Sequence, residues 1–165
     1  MTPLSGRFYR IIFATDLPNV LDGALSPEGR FHHHNQRTIY MSPSPQAAAV
    51  AVNIYLKPDD PPRLVVPLRI SAARILDFRT PETEKSLGLE WRETAVPWAK
   101  QRAAGLPATS WRASDAARAA GADGMIYPSR TLPSRWWHLV LFDWNTPGSA
   151  QIQEDGSPFA FIPST

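Results

Sequence analysis

The sequence contains no cysteine, no hydrophobic run of membrane length and no excess of one charge. The lack of thiols among its 165 residues excludes disulfides, thiolate zinc sites and a cysteine nucleophile. A membrane helix needs about 20 apolar residues, and residues 1–13 are too polar for a signal peptide, so we expect a cytoplasmic protein without a membrane partner. Because 17 basic residues are matched by 15 acidic ones, we expect no direct binding to nucleic acid.

The composition indicates one folded domain with many loops. Hydrophobic residues make up 43% of the chain and charged residues 19%, which is enough apolar material for a core. The 17 prolines are about twice the usual share and predict short helices. We therefore expect a single domain over residues 1–165, with a loop-rich tail at about 146–165 that holds one short strand at 159–162.

Runs of β-branched and aromatic residues between turn signals predict the strands. These strands lie at residues 7–13, 37–41, 63–70, 74–78, 123–127 and 136–142. Ser44 and Pro45 are typical of an N-cap and a first helical position, and predict a helix that continues through 46–56. Other helices are predicted from about residue 80 to Gly88, over 89–104 with a break at Pro97, and over 109–120. Since strands and long helices do not strictly alternate, the expected fold class is α+β, with a mixed or antiparallel sheet and short helices.

A run of three histidines, His32 to His34, is the first candidate for chemistry. Two imidazoles at i and i+2 of a strand share a face and could bind a metal. A zinc site needs about three or four ligands, and the other histidine, His138, is remote in sequence. A polar loop or strand edge is the simpler interpretation, so we predict no metal site. A metal-dependent hydrolase remains an alternative, and it predicts bound metal in the purified protein.

Ser129, Arg10 and Arg30 are the other candidates. Ser129 follows a predicted strand end, where sites are often built, but a turn serine that bonds its own backbone is the commoner case. No G-x-S-x-G motif supports a hydrolase triad. Arg10 lies in an otherwise apolar strand, where a charge is costly unless paired. Its side chain either faces a pocket and binds phosphate or carboxylate, or faces outward by strand alternation.

An ordered series of motifs resembles the RES-domain family, the toxins of bacterial type II toxin–antitoxin pairs. The series comprises Phe8-Tyr9-Arg10, Gly29-Arg30-Phe31, Ile39-Tyr40-Met41, Arg74-Ile75-Leu76-Asp77, Ser86-Leu87-Gly88-Leu89, Gly124-Met125-Ile126-Tyr127-Pro128-Ser129-Arg130 and the strand from Leu139 to Phe142. Each motif alone is weak, and their order makes the resemblance fairly specific. It implies a fold like that of the diphtheria-toxin type of ADP-ribosyltransferase, with NAD⁺ as the substrate.

The resemblance also implies roles for individual residues. Arg10 and Arg30 would contact the pyrophosphate or ribose of NAD⁺. Tyr40 would stack on the nicotinamide or hold its ribose, and Ser129 would bond in the nicotinamide ribose region. Arg30, Tyr40 and Ser129 would thereby serve catalysis as well as binding. The implied partners are a cellular protein that accepts ADP-ribose and a cognate helix-turn-helix antitoxin that covers the cleft, and the implied outcome is growth arrest.

The sequence departs from the family pattern at Ala51, where a glutamate is usual eleven residues after the strand tyrosine. No acidic residue lies between Glu28 and Asp59. The chain is then an inactivated toxin, an enzyme whose acid comes from elsewhere, or a domain that only binds. Without an oriented base, water is a poor acceptor of ADP-ribose. The absence of the glutamate therefore favours transfer of ADP-ribose to a protein over NAD⁺ hydrolysis or phosphorolysis.

A pure interaction module is the alternative from another class. It would use Trp136, Trp137 and Trp144 as exposed contacts, since interfaces are enriched in tryptophan.

Overall fold

The structure is a computed structural model that describes residues 1–90 and 92–164, with the backbone alone at Ala72. The strands it describes are β1 (Thr2–Phe13), β2 (Ile39–Met41), β3 (Arg63–Asp77), β4 (Gly124–Pro128), β5 (Trp137–Leu141), β6 (Gln151–Glu154) and β7 (Phe159–Ala160). The α-helices are α1 (Pro45–Val52), α2 (Pro81–Ser86), α3 (Trp98–Ala103) and α4 (Ser110–Ala119). In the described part of the chain, every helix is too short or too polar to span a bilayer.

The long strand β3 organises the sheet. β1 pairs antiparallel along one edge of it, from Thr2 opposite Ile75 to Phe13 opposite Arg63. The other edge is shared in succession by β7, β6 and β4, of which β4 runs parallel. The path β1-β3-β4-β5-β2 completes the sheet. The predicted α+β class with a mixed sheet and short helices is confirmed.

The two ends of this strand path meet at Tyr9 and Ser42. The Tyr9 amide donates to the Ser42 carbonyl at 2.8 Å, and the Ser42 amide donates back at 2.9 Å. This pair of bonds ties the end of β2 to β1. The sheet therefore curls, and residues from distant parts of the sequence come together at the junction.

Apolar side chains pack on both faces of the sheet. One cluster lies among β1, β3 and β5 and includes Phe8, Leu68 and Leu139. The other places Ala113 and Ala117 of α4 against Met125 of β4 and its neighbours. Alanine at these helix positions lets α4 approach the strands closely.

The tryptophans of the interaction-module alternative belong largely to this interior. Trp144 is 0% exposed, and its indole N–H donates to the Leu21 carbonyl at 2.9 Å. Trp137 packs against the core and meets Phe8 edge to face at 6.2 Å. Trp144 is therefore a core residue, and the expectation that it is an exposed contact is wrong.

The first helix forms as its sequence predicts. The Ser44 hydroxyl accepts from the Ala47 amide at 3.1 Å, and Pro45 takes the first turn, where a missing N–H costs nothing. The α-helix ends at Val52 and continues as a 3₁₀ turn over Asn53–Tyr55, so the predicted extent to residue 56 is close. Small residues at 47 and 48 are buried and hold the helix near β1.

Three predicted elements differ from the structure. The strands expected at 63–70 and 74–78 are one strand, β3, because β1 and β6 pair with it across the small residues between them. The helix expected over 89–104 is reduced to a 3₁₀ turn, Glu93–Ala95, and α3, because Pro97 precedes α3 and Arg92 has a positive φ of 71°. The tail carries β6 as well as the expected short strand, and both pair with β3.

Replacement of Gly124 by alanine tests the close pairing of β4 and β5. An added Cβ would collide with the Val140 carbonyl oxygen and lie 2.9 Å from the Leu141 Cα. Since backbone atoms cannot yield cheaply, we expect Gly124→Ala to lower the free energy of unfolding by about 3 kcal/mol. Gly121→Ala is the control, since its Cβ enters open space and costs about 1 kcal/mol through its left-handed φ. Urea unfolding measures both, and equal losses would contradict the packing described.

Candidate functional site

The curl of the sheet opens a cleft of about 750 Å³ beside Tyr9 and Ser42. Its walls come mainly from β1, from β2 and the loop that precedes it, from α1 and the 3₁₀ turn that follows, and from the ends of β4 and β5. All four residues singled out from the sequence line it: Arg10, Arg30, Tyr40 and Ser129. The volume lies in the range of about 300–1,000 Å³ that small-molecule and cofactor sites occupy.

Backbone carbonyls hold the guanidinium of Arg30. Its Nε and Nη2 donate to the Thr94 carbonyl at 3.1 and 2.6 Å, and Nη2 also reaches the Pro128 carbonyl at 3.4 Å. The group lies over the ring of Tyr127 at 4.9 Å. Among the described residues, no carboxylate pairs with it. Burial lowers the pKa of Arg30 below its usual value, yet an arginine remains charged at neutral pH.

Arg10 faces the cleft rather than solvent. Its Nη1 donates to the Val20 carbonyl, and its side chain also lines a smaller adjoining cavity of about 200 Å³. Burial lowers the pKa of Arg10 to about 10, and the nearby carboxylate of Asp16 opposes this shift. Of the two orientations that the sequence allowed for the Arg10 side chain, the structure shows the one that faces a pocket.

The loop that supplies the Thr94 carbonyl is anchored by two buried acids. Glu84 Oε2 accepts from the Arg92 amide at 2.6 Å. Glu93 Oε1 accepts from the Glu90 amide and from Arg112, each at 3.1 Å. Burial raises the pKa of Glu84, and the neighbouring charge of Glu93 adds to this rise. The position of the Arg30 guanidinium thus depends on a loop 64 residues away in sequence.

The Tyr40 hydroxyl is fully occupied by the protein. It accepts from the Phe31 amide at 3.0 Å and lies 2.8 Å from His32 Nδ1. His32 Nε2 lies 2.9 Å from the Ser26 carbonyl, which can only accept. Nε2 must then carry the proton, so Nδ1 accepts from the Tyr40 hydroxyl. Tyr40 lines the cleft, and its hydroxyl proton is therefore not free for a ligand.

Gly29 is required for this network to fit. A Cβ at this position would lie 2.8 Å from His32 Nδ1 and 3.3 Å from the Tyr40 hydroxyl. A side chain at position 29 would push His32 away from Tyr40 and break the hydrogen bond between them. The glycine beside Arg30 is therefore a packing requirement of the cleft wall.

Ser129 is a turn serine, and it also lines the cleft. Its Oγ accepts from the Thr131 amide at 3.1 Å, as a turn serine does. The hydroxyl proton has no acceptor among the described residues, and the side chain lines the cleft. Ser129 can therefore still donate one hydrogen bond to a ligand.

A buried serine–histidine pair forms another part of the wall. The Ser42 hydroxyl lies 2.8 Å from His138 Nδ1, and both side chains are almost fully buried. Burial, together with the positive charge of Arg30, lowers the pKa of His138 to about 4. His138 is thus a neutral polar group at physiological pH.

The histidine run does not form the strand face on which a metal site would depend. His32 is buried against Tyr40, while His33 Nε2 bonds Asp115 at 2.8 Å and its ring stacks on Trp111. His34 is exposed in a turn with φ 51°. No group of three potential metal ligands occurs in residues 1–90 and 92–164. The chain turns at these residues, so the structure agrees with the polar-loop interpretation, and the shared strand face of the metal-site alternative does not form.

Sequence reasoning missed several cleft residues, notably Glu28, Tyr127 and His138. Tyr127 and His138 are opposite each other in the β4–β5 register, which the sequence alone does not give. Glu28 directly precedes Gly29 and Arg30, and its place next to this motif could have identified it as a cleft residue.

Comparisons with known proteins agree with this architecture. The family model described as the RES domain matches residues 7–163. A solved structure, that of the M. tuberculosis MbcT–MbcA toxin–antitoxin complex, contains a chain that aligns with 98% of this chain and 86% of its own length, with a TM-score of 0.60. The two are 20% identical, so this likeness concerns the fold. No curated protein matches the sequence.

The buried His138 predicts a pH dependence of stability. Its pKa of about 4 in the folded chain lies below the ordinary value of about 6.5, so protons bind the unfolded chain more tightly. The neutral His138 therefore contributes fully to the free energy of unfolding above pH 6.5. This contribution is lost as the pH falls towards 4, and the loss reaches about 3 kcal/mol. Urea unfolding from pH 7 to pH 4 should show a smaller loss for His138→Gln than for the parent. Equal losses would contradict the burial of a neutral imidazole.

Proposed function

This chain belongs to the RES-domain family, and we propose that it is a toxin whose cleft binds NAD⁺ and transfers ADP-ribose to a cellular protein. We place this activity in the bacterial cytoplasm, where it stops growth. NAD⁺ serves as the substrate and is consumed.

The observation that carries the proposal is a pair of partly buried arginines on one cleft that form no ion pair within the described residues, although Asp16 is near enough to Arg10 to act on its pKa. Arg10 and Arg30 both face the same space, and within the described residues neither forms an ion pair with an acid. A buried charge without a counterion is costly. An anionic ligand removes that cost, and a pyrophosphate offers oxygens to both guanidinium groups.

The rest of the wall suits the nicotinamide end of the dinucleotide. Tyr40 lines the cleft with its hydroxyl bonded to His32 and Phe31, so we assign its ring, rather than its hydroxyl, to the nicotinamide. Ser129 retains a donor for the nicotinamide ribose. Cleavage of the bond between ribose and nicotinamide passes through an oxocarbenium-like state, as glycoside cleavage does. A cleft that fixes both ends of the substrate aligns the leaving group and the acceptor.

An antitoxin is the proposed second partner. The chain with which this one aligns belongs to a toxin–antitoxin complex. The cleft has exposed apolar side chains, Ile54 and Tyr55, near the cationic Arg130. An antitoxin segment with apolar and acidic side chains would match this surface. We propose that a helix-turn-helix antitoxin covers the cleft with such a segment.

NAD⁺ hydrolysis or phosphorolysis is the alternative reaction at the same site. A mixture of polar groups lines the cleft, and water or inorganic phosphate could approach the ribose in place of a protein side chain. The binding residues are the same in either case, so the acceptor distinguishes the reactions.

Incubation with NAD⁺ labelled in its adenylate part tests the proposal. We expect a labelled protein band that requires bacterial lysate. Arg30→Ala should reduce labelling at least about 100-fold, because its guanidinium anchors the pyrophosphate. The control Arg69→Ala removes an exposed arginine of β3 that pairs with Asp155 outside the cleft, and it should label like the parent.

Free ADP-ribose or its phosphorylated form, without a labelled band, would instead identify the alternative reaction. Equal labelling by Arg30→Ala and Arg69→Ala would contradict the assignment of the site.

A further inference from the structure

Glu28 is the one acidic residue among the described residues that line the cleft. Four arginines line the same space: Arg10, Arg30, Arg63 and Arg130. This cationic lining suits the phosphates, but it disfavours a positive charge that develops on the ribose. The methyl group of Ala51, which also lines the cleft, provides no compensation. Among the described residues that line the cleft, Glu28 is therefore the one that can supply a carboxylate.

The Glu28 side chain is held at one oxygen and open at the other. Its Oε1 accepts from Arg102 Nε at 3.1 Å, and Arg102 is itself fixed by the Leu106 carbonyl at 3.0 Å. The Glu28 backbone carbonyl accepts from the Ser26 hydroxyl at 2.7 Å. Oε2 has no hydrogen-bond partner within the described part of the chain. The side chain is 36% exposed, so a ligand in the cleft can reach that oxygen.

Glu28 also lies on the side of the cleft that holds Tyr40. The following residue, Gly29, donates its amide to the His32 carbonyl at 2.9 Å, and His32 bonds the Tyr40 hydroxyl. The charge of Glu28 acts on His32 and raises its pKa, although burial lowers it more. The carboxylate therefore lines the same cleft as Tyr40 and acts on the histidine that bonds the Tyr40 hydroxyl.

We infer that Glu28 supplies the carboxylate of the active site and acts on the nicotinamide ribose during cleavage. This inference rests on the proposed function. Its role differs from that of the arginines, since they bind the substrate in the ground state, whereas Glu28 acts on charge that appears only in the transition state.

The bond between ribose C1′ and the nicotinamide nitrogen breaks, and its electron pair stays with nicotinamide, which leaves neutral. Positive charge spreads over C1′ and the ring oxygen, where the Glu28 carboxylate stabilises it. The nucleophilic atom of the acceptor protein then bonds to C1′ and loses its proton to Glu28, which returns it to solvent. No oxidant or reductant is needed.

Two measurements on Glu28→Gln test this role: steady-state NAD⁺ turnover with bacterial lysate as the source of acceptor, and NAD⁺ affinity by calorimetry. The amide keeps the size of the side chain but loses its charge. We expect turnover to fall at least about 100-fold, while the NAD⁺ dissociation constant stays within about threefold of the parent. Adding Ala51→Glu to Glu28→Gln should restore turnover, because it returns a carboxylate to the cleft.

Arg102→Gln is the matched control, since it breaks the same ion pair and leaves the carboxylate in place. If Glu28 were only a structural partner of Arg102, the two variants would lose turnover equally. We expect Arg102→Gln to lose less than about tenfold, and thermal unfolding checks that each variant is folded.

Turnover of Glu28→Gln within about threefold of the parent would overturn the inference. A parent protein that binds NAD⁺ without turning it over would also overturn it and leave the proposed binding site standing. Failure of the parent to bind NAD⁺ would instead reject the proposed function itself.

Discussion

Two backbone carbonyls, those of Thr94 and Pro128, hold the Arg30 guanidinium in the cleft. They accept its hydrogen bonds but carry no formal charge, so the positive charge is oriented without being neutralised. A carboxylate at the same place would occupy the group that an anionic substrate needs. The buried acids Glu84 and Glu93 contribute from a distance by fixing the Thr94 loop. Glu84 and Glu93 thereby lie behind the cleft wall, while Arg30 faces the cleft.

The curl of the sheet explains why one cleft can collect residues from most of the chain. The backbone bonds between Tyr9 and Ser42 bring β1 beside β2, and the β4–β5 pair adds Tyr127 and His138 from the far end of the sequence. Neutral groups fill the space between the charged ones, since His138 has a low pKa and burial raises the pKa of Tyr40. We propose that such a wall binds a dinucleotide at its phosphates, with aromatic side chains beside its nicotinamide.

Local sequence signals predicted the parts of this fold that depend on neighbouring residues. The cap at Ser44 and the strand patterns were sufficient for α1 and for most strands. The resemblance to the RES-domain family, rather than a local signal, singled out the four residues that line the cleft. Features that depend on tertiary contacts were not predictable in this way. β3 is continuous because β1 and β6 pair with it. The buried indole of Trp144 bonds to the carbonyl of Leu21, which is distant in sequence. Thr94 contacts Arg30 across 64 residues of sequence. The histidine run was ambiguous because its turn is set by bonds to Tyr40 and Asp115.

We propose that arginines without an ion-pair partner make the cleft a site for the phosphates of NAD⁺. Calorimetric titration of the parent protein with NAD⁺, nicotinamide mononucleotide and nicotinamide riboside tests this proposal, because the mononucleotide and the riboside differ only by a phosphate. We expect saturable binding of NAD⁺ at one site, and binding of the riboside that is at least about tenfold weaker than binding of the mononucleotide, because the riboside loses the charge-assisted hydrogen bonds. Equal affinities for the mononucleotide and the riboside, or no binding of NAD⁺, would contradict the proposal.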